Sequence, residues 1–182
     1  MTHNTIVTTV TALAEQIKKE GHELNGTKEL LAVSPLPLVV SEMDLIAEEN
    51  EVRRYYEKLG INNQAIRSLE HNLYEFIYRG LRQAVEQTLY FDKTQDYSSR
   101  RFVFSTTDCI SHVQILFRPE TTILAMHIRS TDVVKLLPWD MLFACKLLER
   151  ILLESEFPLT KKKEVHLFIA SAHYYLKPKV MY

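Results

Sequence analysis

Met126-His-Ile-Arg-Ser-Thr-Asp-Val-Val-Lys-Leu-Leu-Pro-Trp-Asp140 is the stretch that decides the fold. It opens as the end of a β-branched and aliphatic strand, Ile123 to Ile128. Within four positions Arg129, Ser130 and Asp132 then supply a cation, a hydroxyl and a carboxylate. Leu137-Pro138-Trp139-Asp140 starts a long amphipathic helix. A strand that delivers polar groups into a turn before a helix is a common place for a ligand site.

Working outward, Asp140 to Glu156 reads as a helix with Leu142, Cys145, Leu148, Ile151 and Leu152 inward. Lys161 to Lys163 reads as a solvated basic turn, and Val165 to Ala170 as a strand continued by Ser171-Ala-His-Tyr-Tyr175. Upstream, Phe102 to Ser105, His112 to Phe117 and Thr122 to Ile128 are β-branched and aromatic runs, the last two joined by a hairpin-like Arg118 to Thr121. Lys93 to Ser99 is polar and reads as a loop. Before it the period is helical. Thr5 to Lys19 carries Ile6, Val10, Leu13, Ala14 and Ile17 on one face, with Gly21 to end it and Gly26 marking a turn. Leu30 to Val40 is apolar but holds Pro35 and Pro37, which predicts an edge strand or extended segment. Ser41 to Asp44 reads as a helix start, with the helix running to Leu59 and closed by Gly60. The longest helical pattern is Asn63 to Leu89, with Gly80 inside it. Helices first and antiparallel-capable strands later predict an α+β chain, read as one domain over 1–182.

The bulk numbers narrow the function classes. Lys+Arg at 22 against Asp+Glu at 23 leaves a net charge of −1, which gives no support to a nucleic-acid or membrane partner held by bulk charge. Cys109 and Cys145 are too few for a disulfide framework and lack metal-ligand spacing, so no metal is expected. No signal core and no run of about 18 apolar residues is present. The expected location is a reducing, cytoplasmic compartment.

Arg129-Ser-Thr-Asp-Val133 followed by Leu137-Pro-Trp-Asp140 resembles the thymidylate synthase family's Arg-Ser-x-Asp-Val and Leu-Pro-Phe-Asn, at the same spacing. Cys109 lies 20 residues before Arg129, the family's distance from nucleophilic cysteine to phosphate-binding arginine. Ser99-Arg-Arg101 resembles its Ser-Arg-Arg, His173-Tyr-Tyr175 its His-x-Tyr, and Ile66 to Leu73 its early helix. The resemblance is strongest over 98–176. It implies a thymidylate synthase-like α+β fold, a mixed bent sheet flanked by helices, paired back to back into a homodimer. It implies Cys109 as the nucleophile that adds to pyrimidine carbon 6, a task suited to a soft thiolate. Arg100, Arg101, Arg129 and Ser130 would hold the phosphate of a pyrimidine nucleoside monophosphate. Asp132 and Asp140 would meet the base, and His173 and Tyr175 the sugar. Asp140 stands where most of the family has asparagine, and the deoxycytidylate hydroxymethylases resemble this chain in having aspartate there. A carboxylate only accepts, which suits the amino group of cytosine. The implied activity is C5-hydroxymethylation or methylation of a (deoxy)cytidine monophosphate, with methylenetetrahydrofolate as the implied cofactor.

The chain also departs from the family's pattern. The proton-relaying glutamate falls on Asn72, with Glu75 one turn on. The histidine after the cysteine is Ile110, and the glutamine before the arginine is Ile128, beside His127. Read as a complete chain it ends at Tyr182, which leaves out the segment that closes over the folate. These departures keep a second reading open: a non-catalytic relative acting as a nucleotide-binding, regulatory or assembly module. Each site residue has a plain structural alternative too. Cys109 reads equally as a buried thiol, Asp140 as a helix N-cap, and Asp132 as a turn residue. Arg129 reads as a salt-bridge partner of Asp132 or Glu120, Arg100 and Arg101 as a solvated pair, and His173 and Tyr175 as a hydrogen-bonded core pair. Cys145 reads as core.

Overall fold

A computed structural model describes residues 5–24, 26–34, 37–61, 82, 93–94, 103–105, 109–118, 120–154 and 162–176. The expected long helix Asn63 to Leu89, apart from Arg82, lies outside the described residues, as do Arg100, Arg101, Asn72 and Glu75. Lys93 and Thr94, expected to begin a loop, are helical.

The element order is α1 (Ile6–Glu20), β1 (His22–Leu24), β2 (Thr27–Val33), β3 (Leu38–Val39), α2 (Leu45–Lys58), β4 (Val103–Ser105), β5 (Ile110–Phe117), β6 (Thr121–Asp132), α3 (Leu137–Glu154) and β7 (Lys162–Tyr175). The chain is therefore α+β, with one open mixed sheet ordered β1-β2-β7-β6-β5-β4, and β3 also paired to β7. All neighbours are antiparallel except β6 and β7, which run parallel and take α3 as their crossover. That parallel step needs a long connection, and an 18-residue helix supplies it.

The first helix forms where the pattern predicts. Ile6, Val10, Leu13, Ala14 and Ile17 are buried along one face. Thr5 caps its start by accepting the Thr8 N–H at 3.2 Å. Gly21 ends it, because a Cβ there would stand 2.5 Å from the Ile17 carbonyl oxygen. β1 was not legible as a strand. It folds back on β2 across Gly26, whose φ of +78° suits a tight turn. Asp44, rather than Ser41, caps α2, accepting the N–H groups of Ile46 and Ala47 at 3.0 and 3.1 Å. Glu48 of α2 accepts the Ile6 N–H at 3.0 Å, so one helix satisfies an orphan donor at the start of another. Glu49 joins α2 to α3 through Lys146 and also pairs with Arg53 at 2.7 Å. Burial alone would raise its pKa, but the bonds from Lys146 and Arg53 outweigh burial and hold it below the usual carboxylate range.

The three helices share one core with the inward side chains of the sheet. On β6 these are Leu124, Met126 and Ile128; on β7 they are Val165, Leu167 and Ile169. The alternate residues Ile123, His127, His166 and Phe168 face the opposite way and are half-buried or exposed.

A row of irregularities crosses the sheet. Between Ile128 and Thr131 on β6, two outward residues intervene instead of one, and the same holds between Ile169 and Ala172 on β7. β2 matches them, with Leu31 and Ala32 exposed between Leu30 and Val33, and Ala32 takes a φ of +54°. On β5, Ser111 and His112 lie between the buried Ile110 and Val113, and the β5–β6 register shifts there. The β5 step is a bulge, which bends a strand and re-aims side chains. No helix among the described residues is long and apolar enough to cross a membrane.

Replacing the fully buried Leu124 with alanine should cost about 2–5 kcal/mol in urea denaturation. Leu153→Ala, at a position 76% exposed on α3, should stay within about 0.5 kcal/mol of the parent. Equal losses at both positions would contradict this packing.

Candidate functional site

The polar end of β6 is a strand, not a turn. β6 runs to Asp132, so Ser130, Thr131 and Asp132 are held by pairing with β7, and the turn is Val133 to Leu136. His173 and Tyr175 lie within β7, as the strand continuation predicts, whereas Lys162 and Lys163, expected in a turn, begin it. Their ammonium groups meet Glu164 at 2.5 Å and Glu149 at 3.6 Å.

Cys109 and Arg129 come together. The Arg129 N–H donates to the Cys109 carbonyl at 2.7 Å, one step beyond the Ile110–Ile128 pair. Both residues are exposed, so the buried-thiol alternative does not hold for Cys109. Cys145 is buried in the core, and burial pushes its thiol up. Among the described residues Arg129 forms no ion pair with Asp132 or Glu120.

Ser130 and His173 also meet, Oγ to Nδ1, at 3.4 Å across β6 and β7. Asp132 is the register partner of His173, and the Val133 N–H donates to the His173 carbonyl at 3.0 Å. The Tyr175 ring stands edge-on to His173, with centroids 5.3 Å apart, and Lys135 Nζ lies 5.8 Å from the Tyr175 centroid. Lys135 was not expected in this cluster; it sits in the turn, and nothing in its spacing marks it.

Of the two structural alternatives for the aspartates, the turn role of Asp132 holds and the N-cap role of Asp140 does not. Asp132 is the capping residue: its Oδ1 accepts the N–H groups of Val134 and Lys135, each at 3.0 Å. Asp140 is not an N-cap. It sits in the first turn of α3, its N–H donates to the Leu136 carbonyl at 3.1 Å, and its Oδ2 accepts the Thr131 hydroxyl at 3.1 Å. The residue as a whole is half-buried, but protein surrounds the carboxyl. Burial pushes it up to about 7, against the lowering effect of the Thr131 bond.

The second helix walls this corner. Tyr56 stacks on Trp139 with centroids 5.8 Å apart and donates its hydroxyl to the Lys135 carbonyl at 2.8 Å. Arg53 lies over the other ring system, 5.7 Å from the Trp139 centroid. Burial, and to a lesser degree the charge of Asp132, pushes neighbouring Tyr55 up to about 12. These α2 residues are about 80 positions away in sequence, so no motif could have connected them to the corner.

Among the described residues no group of three His, Cys, Asp or Glu side chains is placed to hold a metal ion. The arrangement gives three things: an exposed thiol beside a guanidinium-bearing residue, a hydroxyl–imidazole–phenol run along β6 and β7, and a carboxyl that changes charge near neutrality.

A carboxyl held above its ordinary value contributes stability that is full below that value and lost as pH rises through the raised one. For Asp140 the window runs from its ordinary 3.8 to about 7. Asp140→Asn should therefore flatten the fall in urea midpoint between pH 4 and pH 7; an unchanged fall would contradict the assignment. Neither a family model nor a curated protein matches this chain.

Proposed function

We propose that the chain has a thymidylate synthase-like fold, binds a cytidine or deoxycytidine monophosphate, and adds the Cys109 thiolate to carbon 6 of the base. The observation that carries this reading is the Arg129 N–H to Cys109 carbonyl bond, which pairs the backbones of two exposed residues, one bearing a thiol and the other a cation. Thiolate attack forms the S–C6 bond and moves the C5–C6 π pair onto carbon 5, conjugated with the ring. Solvent protonates carbon 5. Loss of the other carbon-5 proton and departure of the thiolate restore the ring with its hydrogen exchanged. No co-reactant is needed for that cycle.

The other residues take supporting parts. Arg129 and Ser130 hold the phosphate, joined by Arg100 and Arg101 of a second copy in a homodimer. His173 and Tyr175 meet the sugar, and their contacts with Ser130 and with each other support a continuous phosphate-to-sugar track. Asp140 accepts from the cytosine amino group when ionised. Asp132 serves the site indirectly, since its carboxylate already caps the turn that precedes α3.

A one-carbon donor such as methylenetetrahydrofolate would convert the carbon-5 anion into a new carbon–carbon bond. The described residues do not offer it a platform: Trp139 and Tyr56 are buried and stacked on each other. No step of the proposed chemistry runs through it. The second reading, a nucleotide-binding module without catalysis, draws on the Thr131 bond that already occupies one Asp140 oxygen.

Tritium release from carbon 5 separates the two. Release from labelled deoxycytidylate that disappears in Cys109→Ala is the expected result; calorimetric binding without release in the parent protein would favour the non-catalytic reading. Arg129→Ala should weaken nucleotide binding about 10- to 100-fold, the loss of one charge-assisted bond to phosphate. Cytidylate affinity should fall as pH drops below about 7, where Asp140 takes up a proton, and Asp140→Asn should remove that dependence.

A further inference from the structure

Three aromatic rings line up across the sheet face opposite the helices. His112 of β5 stacks on His127 of β6, centroids 4.0 Å apart and 23° from parallel. His127 in turn stacks on Phe168 of β7, at 4.8 Å and 17°. The outward direction of His127 follows from its neighbours, since Met126 and Ile128 are both buried in the helix-side core. The stack sits at the β5 bulge, where Ser111 and His112 together oppose His127. The Ser111 hydroxyl donates to the His127 carbonyl at 3.1 Å and lies 3.4 Å from His112 Nδ1. Among the described residues two pairings lie beyond this bulge: Ile110 with Ile128, then the bond between Arg129 and Cys109.

We propose that His112 and His127 form an acid-sensitive latch on the β5–β6 pairing, and that protonation of both loosens the end of the ladder that holds Cys109 beside Arg129. The latch is independent of what the site binds.

Two neutral imidazoles stack favourably, and one imidazolium over one neutral ring remains tolerable. Two imidazolium cations at 4.0 Å repel across a half-buried contact where screening is weak. Among the described residues neither His112 nor His127 forms an ion pair that would offset the second charge. β4 brings Ser105 opposite His112, and β5 adds Gln114. β6 contributes Arg129, another cation, and β7 contributes His166 and Glu164. Glu164 is already engaged by Lys162 at 2.5 Å and His166 at 3.0 Å. The helices pack on the other face. Burial, and then the charge of His112, hold His127 below its ordinary 6.5. An imidazole so depressed contributes stability that is present above 6.5 and is lost as pH falls through the lowered value. β5 is a weak point for that loss, since its other flank is the three-residue strand β4.

Amide hydrogen exchange of Arg129, followed by NMR at pH 7.5 and pH 5.0 and corrected for intrinsic rate, tests the latch in the full chain. Arg129 protection should fall about tenfold for each unit by which the stack depresses the second protonation. The Leu167 amide, in the β6–β7 core, should keep its protection. His112→Gln leaves a single cation in the stack and should make the fall in Arg129 protection smaller, leaving only the part that burial of His127 contributes. If that variant does not fold, His127→Phe retains a ring between His112 and Phe168 and should likewise give a smaller fall than the parent. Equal Arg129 protection at both pH values, or the same fall in whichever folded variant is measured, would overturn the proposal.

Discussion

The parallel pairing of β6 with β7 is the constraint on which the rest depends. Two parallel neighbours cannot be joined by a hairpin, so the chain between them must cross a sheet face, and α3 is that crossing. The crossing buries Leu142, Leu148 and Ile151 against Leu124, Met126, Leu167 and Ile169, in one core with α1 and α2. It also brings the C-terminal end of β6, the first turn of α3 and the C-terminal part of β7 to one corner. Every candidate residue described downstream of Cys109 lies there because of that pairing.

The irregularities across the sheet decide what each residue in the corner does. Strict alternation along β6 would turn Ser130 and Asp132 toward the helices with Ile128. The extra outward residue turns Thr131 inward instead, where its hydroxyl reaches Asp140. The same step along β7 frees His173 to meet Ser130. Ile110 and Ile128, where this chain departs from the pattern it resembles, prove to be cross-strand partners buried on the helix side. Two polar side chains facing each other there would each need a partner in the core; two isoleucines need none.

Charge follows burial and partners throughout. Cys145 and Cys109 are the same residue type at opposite extremes: one thiol is sealed in the core and pushed up, the other belongs to an exposed residue paired with Arg129. Asp132 and Asp140 differ instead in their partners. Asp132 spends its carboxylate on two backbone N–H groups, whereas Asp140 has a single hydroxyl donor and holds its proton to about neutrality. Only groups left with fewer partners than their charge requires can respond to a ligand or to pH.

Sequence alone determined the elements with strong local signals: the apolar stripe of α1, the stop at Gly21, the turn at Gly26, the alternating runs of β5 and β6, and the inward face of α3. It also marked Cys109, Arg129, Ser130, Asp132, Asp140, His173 and Tyr175 as worth locating, because their types and spacing suit one chemistry. It misjudged the end of β6 and the start of β7, since pairing with a distant strand extends a strand past the point where its own alternation breaks. It offered the turn role for Asp132, which the structure shows, but also the cap role for Asp140, which only the placement of Asp140 inside the first turn of α3 removes. It could not place Tyr56 and Arg53 against Trp139, or His112 against His127 and Phe168. Those contacts join residues with no common periodicity, and only the closing of the sheet and the docking of α2 bring them together.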